Sequence, residues 1–164
     1  MLRPLILGAL CALLVSLCVV TPASAVPDGP IDVYLEHIEP LSLEWPADGT
    51  LTSTYGPRWG RMHLGVDVGI LRSLDVRAAT SGVVTASGWL TGYEGYGNVV
   101  TLDVGGGYSL LYAHLSEAHV VPGQWVEAGE SIGLAGCTGS CTGTHLHFEL
   151  RENGAPIDPA PFFG

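Results

Sequence analysis

The stretch His145-Leu146-His147-Phe148-Glu149-Leu150-Arg151 alternates polar and apolar side chains from end to end. In a β-strand successive side chains point to opposite faces. His145, His147 and Glu149 then share one face, while Leu146, Phe148 and Leu150 face a core. A half-exposed strand with incidental histidines would show the same alternation, so this stretch needs a partner before it reads as a metal site. His63-Leu64-Gly65-Val66-Asp67 supplies one. Read as a strand, it sets His63 and Asp67 on one face with Gly65 between them leaving space for an ion, and turns Leu64 and Val66 away. Two imidazoles and a carboxylate make a coherent three-ligand set for Zn²⁺, whose catalytic sites leave the fourth position to water. A further histidine, His114, ends the apolar run that begins at Tyr108 and stands as a neighbour of the same ion.

The rest of the chain is of the same kind. Twenty-three glycines separate short apolar runs, which argues for β-structure. Strands are expected at residues 50–54, 64–68, 75–78, 82–87, 98–104, 109–114, 131–135 and 145–151. Asp48-Gly49, Ser81-Gly82, Gly105-Gly106-Gly107 and Pro122-Gly123 supply turn chemistry between them. No stretch sustains a helical period, and only Leu115–Val120 is expected to form a short helical turn. The expected fold is a mostly β, antiparallel single domain. Trp59 and Trp89, in glycine-rich surroundings, are the candidate substrate-binding walls of a groove, and the loop from Gly88 to Gly97 is expected to tune its selectivity. His37 and His119 read as surface residues, and Trp45 and Trp125 as core or groove wall.

Residues 1–25 read as a signal peptide: Arg3 is followed by an apolar run from Leu5 to Val20 and by the small-residue site Ala23-Ser24-Ala25. A retained anchor is the rival reading, but the run is short for a spanning helix of about 20 residues. Residues 26–45, with prolines at 27, 30 and 40, form an N-terminal lead segment, and 46–164 the folded domain. The chain carries 16 acidic residues, six arginines and no lysine, for a net charge of −10. A phosphate-binding partner needs a basic face, so nucleic acid is excluded, as is electrostatic adhesion to anionic lipid. Export to the periplasm, the cell wall or the medium, as a monomer without stable membrane association, is the expectation. Cys137 and Cys141 outlast the signal. In an oxidising compartment they are expected to form a disulfide, free or metal-binding thiols being the alternative.

The order of these motifs resembles the lysostaphin/LytM-type zinc endopeptidases that cleave peptidoglycan. That family is marked by His-x-x-x-Asp, a lone His, then His-x-His, which stand here as His63/Asp67, His114 within Tyr-Ala-His-Leu-Ser, and His145/His147 within Gly-Thr-His-Leu-His-Phe-Glu. Tyr55-Gly56-Pro57-Arg58, Gly95-Tyr96-Gly97-Asn98, Val121-Pro122-Gly123-Gln124 and Gly136-Cys137-Thr138-Gly139 match as well, so the likeness runs from about Leu43 to Phe162. It implies that His63, Asp67 and His147 hold one Zn²⁺, that His145 and His114 are catalytic, and that a metal-activated water attacks a peptide bond of the wall. It implies for 46–164 a metallopeptidase domain of barrel-sandwich-hybrid type with an open groove holding the metal. Some members use an upstream tyrosine to stabilise the transition state, and Tyr55 and Arg58 both stand in that region. Other relatives keep the fold, lose zinc ligands and activate other wall hydrolases; here no ligand is missing. The hairpin Val121–Glu130 also resembles biotinyl- and lipoyl-type carrier domains, but a carrier needs a lysine to modify and the chain has none.

Overall fold

Alternating patterning becomes a run of short strands in the computed structural model, which describes residues 40–164; the predicted signal peptide, His37 and the lead as far as residue 39 lie outside the described residues. In chain order the strands are β1 (Thr50–Ser53), β2 (Gly56–Arg58), β3 (Arg61–His63), β4 (Val66–Gly69), β5 (Asp75–Arg77), β6 (Gly82–Trp89), β7 (Asn98–Gly105), β8 (Tyr108–Ala118), β9 (Trp125–Val126), β10 (Ser131–Ala135), β11 (Leu146–Glu152) and β12 (Ala155–Ile157). A 3-10 turn, Ala160–Phe162, follows them. Among the described residues no helix is long and apolar enough to cross a membrane.

The main sheet runs β1-β4-β11-β8-β7-β6-β9, with β10 bridging β8 and β5, and β12 on β11. Every strand pair is antiparallel. β11 lies between β4 and β8, and its register places His147 opposite Asp67 on one side and Ala113 on the other. Leu146, Phe148 and Leu150 are fully buried, with Val66 and Val68 of β4 and Leu110 and Tyr112 of β8. The Phe148 ring meets Tyr112 edge-on at 5.2 Å and Phe163 at 5.8 Å. Full burial of each such side chain contributes roughly 1.5–3 kcal/mol.

Several local expectations change. Residues 115–118 continue β8 instead of turning helically, because β10 pairs with them: Gly133 lies opposite Ala118 and Leu134 opposite Glu117. The three-residue strands β2 and β3, joined at Trp59-Gly60, were not evident from residue pattern. They are too short to show alternation. His63 therefore ends β3 while Asp67 lies in β4, and the two do not share one strand. The chain turns at Leu64-Gly65 instead. Gly65 leaves no room for an ion: a Cβ there would lie 2.1 Å from the Phe148 carbonyl oxygen and 2.9 Å from Glu149 Cγ. Glycine is required because the turn presses backbone against β11. Nor does the packed unit wait for residue 46. Leu43 is buried and bridges Phe163, and Trp45 stacks on the Phe163 ring at 4.1 Å.

Gly65→Ala should force β4 from β11 at the point that sets the His147–Asp67 register. The expected loss is about 3 kcal/mol or more, at the upper end for overpacking against unyielding backbone. Urea unfolding of the variant beside the parent measures it, and a midpoint within error of the parent would contradict the tight approach.

Candidate metal centre

β11 projects His147 and Glu149 to the side opposite the core, His145 stands just ahead of its first residue, bridged to Gly136, and β4 brings Asp67 beside them. The β3–β4 turn delivers His63. The three atoms His63 Nε2, Asp67 Oδ1 and His147 Nδ1 are mutually 3.0, 3.1 and 2.9 Å apart, and all three residues are buried. Ligands held at about 2.0–2.1 Å around a tetrahedral zinc would lie roughly 3.3 Å apart, close to this triangle.

The outer atoms of the imidazoles fix what the inner ones offer. His63 Nδ1 lies 2.8 Å from the Thr54 carbonyl, which can only accept, so Nδ1 carries the proton and Nε2 presents a lone pair. His147 Nε2 lies 3.0 Å from Glu149 Oε1, so it donates and Nδ1 presents a lone pair. With Asp67 Oδ1, three acceptors face one another in a buried space, an arrangement that a cation at the centre relieves. The local field agrees. Burial opposes charge on His147, yet its contacts with Asp67 and Glu149 prevail and raise its pKa. Burial likewise disfavours the Asp67 carboxylate, but the field of the imidazoles around it, His147, His63 and His145, holds its pKa well below the usual range. Arg58 donates to Asp67 Oδ2 at 3.1 Å and to Ser53 Oγ at 2.6 Å, which leaves Oδ1 turned inward. Tyr55 is turned elsewhere, its hydroxyl donating to the Pro156 carbonyl at 3.0 Å.

Glu149 is fully buried, and a bare carboxylate there would be costly. Three donors satisfy it: His147, the Tyr96 hydroxyl at 2.7 Å and Arg151 Nε at 2.7 Å. Burial pushes its pKa up, and these contacts more than reverse that. Tyr96 is pushed up to about 12, by burial first and then by Glu149, so it remains a donor at neutral pH. Its carbonyl accepts the His114 N–H at 2.8 Å, tying the same residue to a second histidine.

His114 reaches the site through a bulge. Between Asn98–Leu115 and Val100–Tyr112 the single Val99 of β7 faces two residues of β8, Ala113 and His114, and His114 adopts φ +61. Strict alternation would send His114 to the core with Tyr112; the bulge re-aims it. Its ring centroid lies 4.7 Å from that of His145 and 6.0 Å from that of His147. Burial lowers its pKa despite the Thr138 carbonyl beside it, which favours the neutral base at pH 7. His145 Nε2 lies 3.7 Å from Asp67 Oδ1.

The five residues open into a cleft of about 500 Å³ whose walls include Arg58, Trp59, Met62, Tyr96, Ser140 and Thr142. Trp59 is 92% exposed at its rim. Trp89 is exposed at the end of β6 and does not line this cleft; of the loop it begins, Gly95 and Tyr96 do. Trp45 and Trp125 are exposed, not core, and His119 is exposed beside Glu117. Cys137 and Cys141 are joined in a disulfide, with Cα atoms 5.2 Å apart, in the loop that leads to His145. A second depression, of about 610 Å³, is lined by Trp45, Asp48, Arg72, Asp75 and Arg77 among others; its charges pair off and bring no cluster of metal-ligating atoms together.

Replacing Glu149 by Gln should keep the shape of this site but remove the charge that orients His147. Affinity for Zn²⁺ should fall roughly 10–100-fold, the usual worth of such a partner. Competition against a chromophoric chelator measures it, with circular dichroism to verify the fold. Unchanged affinity would mean that β11 alone orients the ring.

Residues 61–159 match the family model described as Peptidase family M23. The chain is 43% identical over 99 residues to the DD-carboxypeptidase/endopeptidase Mpg of Neisseria meningitidis, covering 60% of this chain and 22% of the relative. It is 34% identical over 126 residues to the murein hydrolase activator EnvC of Escherichia coli, covering 73% of this chain and 28% of that protein. The chain thus spans about a quarter of the length of these relatives. Among solved structures it superposes on the catalytic domain of the antimicrobial peptidase lysostaphin from Staphylococcus simulans with a TM-score of 0.62 and 36% identity, covering 70% of this chain and 91% of that domain. With the family model spanning more than half its length and every signature histidine gathered in one cleft, the chain belongs to peptidase family M23.

Proposed function

We propose that the protein is a zinc metalloendopeptidase that hydrolyses peptide bonds of bacterial peptidoglycan. The observation that carries this reading is the meeting of three inward lone pairs, on His63, Asp67 and His147, with two further imidazoles in an open cleft. His63, Asp67 and His147 would hold the metal. Two neutral imidazoles and one carboxylate would leave Zn²⁺ a net positive charge, which would supply acidification of a bound water and polarisation of a carbonyl. His145, the less buried of the pair, accepts the proton of the attacking water at Nε2 and returns it to the leaving amine. His114, held neutral by burial, stands beside it as a hydrogen-bond partner of the same water. Arg58 and Trp59 offer one wall to the peptide, and Tyr96 with Ser140 the other. Action on the wall requires export, which residues 1–25 would direct.

The similarity to an activator of murein hydrolases supports a second reading, in which the cleft serves recognition and another enzyme does the cutting. The complete donor set favours hydrolysis, since a purely recognising cleft has no need of three converging lone pairs.

Peptidoglycans of several chemotypes, digested with the zinc-loaded protein and analysed by mass spectrometry, should release peptide fragments with one new amino terminus per cut. Alanine at His63, Asp67 or His147 should lose zinc and activity together. Alanine at His145 or His114 should retain zinc while turnover falls roughly 10²–10⁴-fold. Loss of metal in His145→Ala with retention in His147→Ala would reverse the assignment. No fragments from any wall, with faster cleavage by a separate murein hydrolase when this protein is added, would establish the activator reading.

A further inference from the structure

A neutral imidazole has one N–H and one lone pair, so whatever binds one nitrogen decides what the other can do. His114 Nδ1 lies 2.8 Å from the Thr138 carbonyl, and His145 Nδ1 lies 2.7 Å from the Gly143 carbonyl. Both acceptors belong to the loop between β10 and β11. One loop therefore sets the tautomer of two histidines far apart in sequence, His114 on β8 and His145 just ahead of β11: Nδ1–H outward, with the Nε2 lone pair left for the reaction.

The two carbonyls are not held alike. Thr138 is anchored to the sheet: its Oγ1 donates to the Leu115 carbonyl at 2.8 Å and accepts the Asn98 N–H at 3.0 Å. The backbone beside it packs on the Gly95–Gly97 segment so closely that a Cβ on Gly139 would lie 2.4 Å from the Gly97 nitrogen. Gly143 has no such neighbour, since a Cβ there would meet nothing within 4 Å. Its N–H points to Cys141 Sγ at 3.4 Å, and Cys141 is covalently joined to Cys137, next to the Thr138 anchor. The bridge carries the position of the anchored half of the loop to the free half.

We propose that the Cys137–Cys141 disulfide is a positioning element for His145: it fixes the Gly143 carbonyl, and through it the Nδ1–H tautomer that leaves Nε2 free as a base. The proposal rests on the peptidase reading for its catalytic consequence, but not for its structural one. Reduction converts the bridge to two thiols. The freed Cys141 sulfur, 2.9 Å from the Gly143 carbonyl oxygen and 3.7 Å from His145 Nδ1, then offers an S–H donor that competes with the ring for that carbonyl and reaches that nitrogen. Accepting there moves the ring proton to Nε2, where it blocks the base. His114, held by the anchored Thr138, keeps its tautomer.

The test uses zinc-loaded protein with ¹⁵N-labelled histidine, and reads the tautomers from two-bond ¹H–¹⁵N correlations beside zinc content, kcat and KM. In the oxidised protein both rings should show Nδ1–H. In the Cys137→Ala/Cys141→Ala double variant the Gly143 carbonyl loses its tether. His145 should become a mixture of tautomers and His114 should not, with zinc and KM unchanged and kcat lowered roughly 10–100-fold, the scale of an ångström-level misplacement. A variant that fails to fold is replaced by the parent treated with a water-soluble phosphine. The phosphine reduces the bridge to two thiols and becomes its oxide, water supplying the oxygen and the two hydrogens. An unchanged His145 tautomer in the variant or the reduced parent, or a fall in kcat explained by lost zinc, overturns the proposal. If the oxidised parent cuts no wall peptide, the peptidase reading fails, while the spectra still decide whether the bridge sets the ring.

Discussion

His147 stands opposite Asp67 on β4 and opposite Ala113 on β8, and the chemistry of the site depends on that double register. A slip of one residue in either pairing would exchange the faces of a strand. Leu146 and Phe148 would then point into the cleft, and two imidazoles and a carboxylate into an apolar core. The alternation therefore protects fold and site together, since the burial of Leu146, Phe148 and Leu150 favours the same register that lines up the ligands. Gly65 sharpens the constraint, because only a residue without Cβ lets the β3–β4 turn press on β11 and bring His63 to the other two.

Around that frame the charges are arranged so that each inner atom is determined by an outer partner. Thr54 holds His63, Glu149 holds His147, and Arg58 takes the outer oxygen of Asp67. The costliest member is Glu149, a carboxylate without solvent contact, which is tolerable only because three donors surround it. Removing any one of those donors would burden the other two, so Tyr96 and Arg151 belong to the metal centre although neither offers it a ligand.

Much of this was legible in the sequence. The period-two pattern of 145–151 announced a strand with a polar face, and the ligand candidates on it and around His63 are brought into one cleft. Where pattern reading failed, the physical reasons are specific. β2 and β3 hold three residues each, too few to show a period. The continuation of β8 to Ala118 depends on pairing with β10, a contact distant in sequence. The glycine-rich surroundings of Trp89 suggest a groove wall but say nothing about where β6 ends in space. The bulge at His114 left no trace, because Leu110 to Ala113 and Leu115 are all apolar and all buried, so no break in alternation shows. The role of Tyr96 left none, because it depends on bringing the loop before β7 against β11.

The strain at His114 fits this division of labour. A histidine at φ +61 is uncommon and is kept only where surrounding structure over-determines it. Here the Tyr96 carbonyl takes its N–H, the Thr138 carbonyl takes its ring N–H, and the buried neighbours Tyr112, Ala113 and Leu115 leave the backbone no alternative. Regular strands can place a side chain only at every second position on a face. The ligands Asp67 and His147 accept that limit and sit directly opposite each other. On β8 the regular position opposite His147 is held by Ala113, so the further imidazole beside them comes from outside that lattice. The bulge supplies the position the lattice lacks, and the loop between β10 and β11 then holds the imidazole so gained.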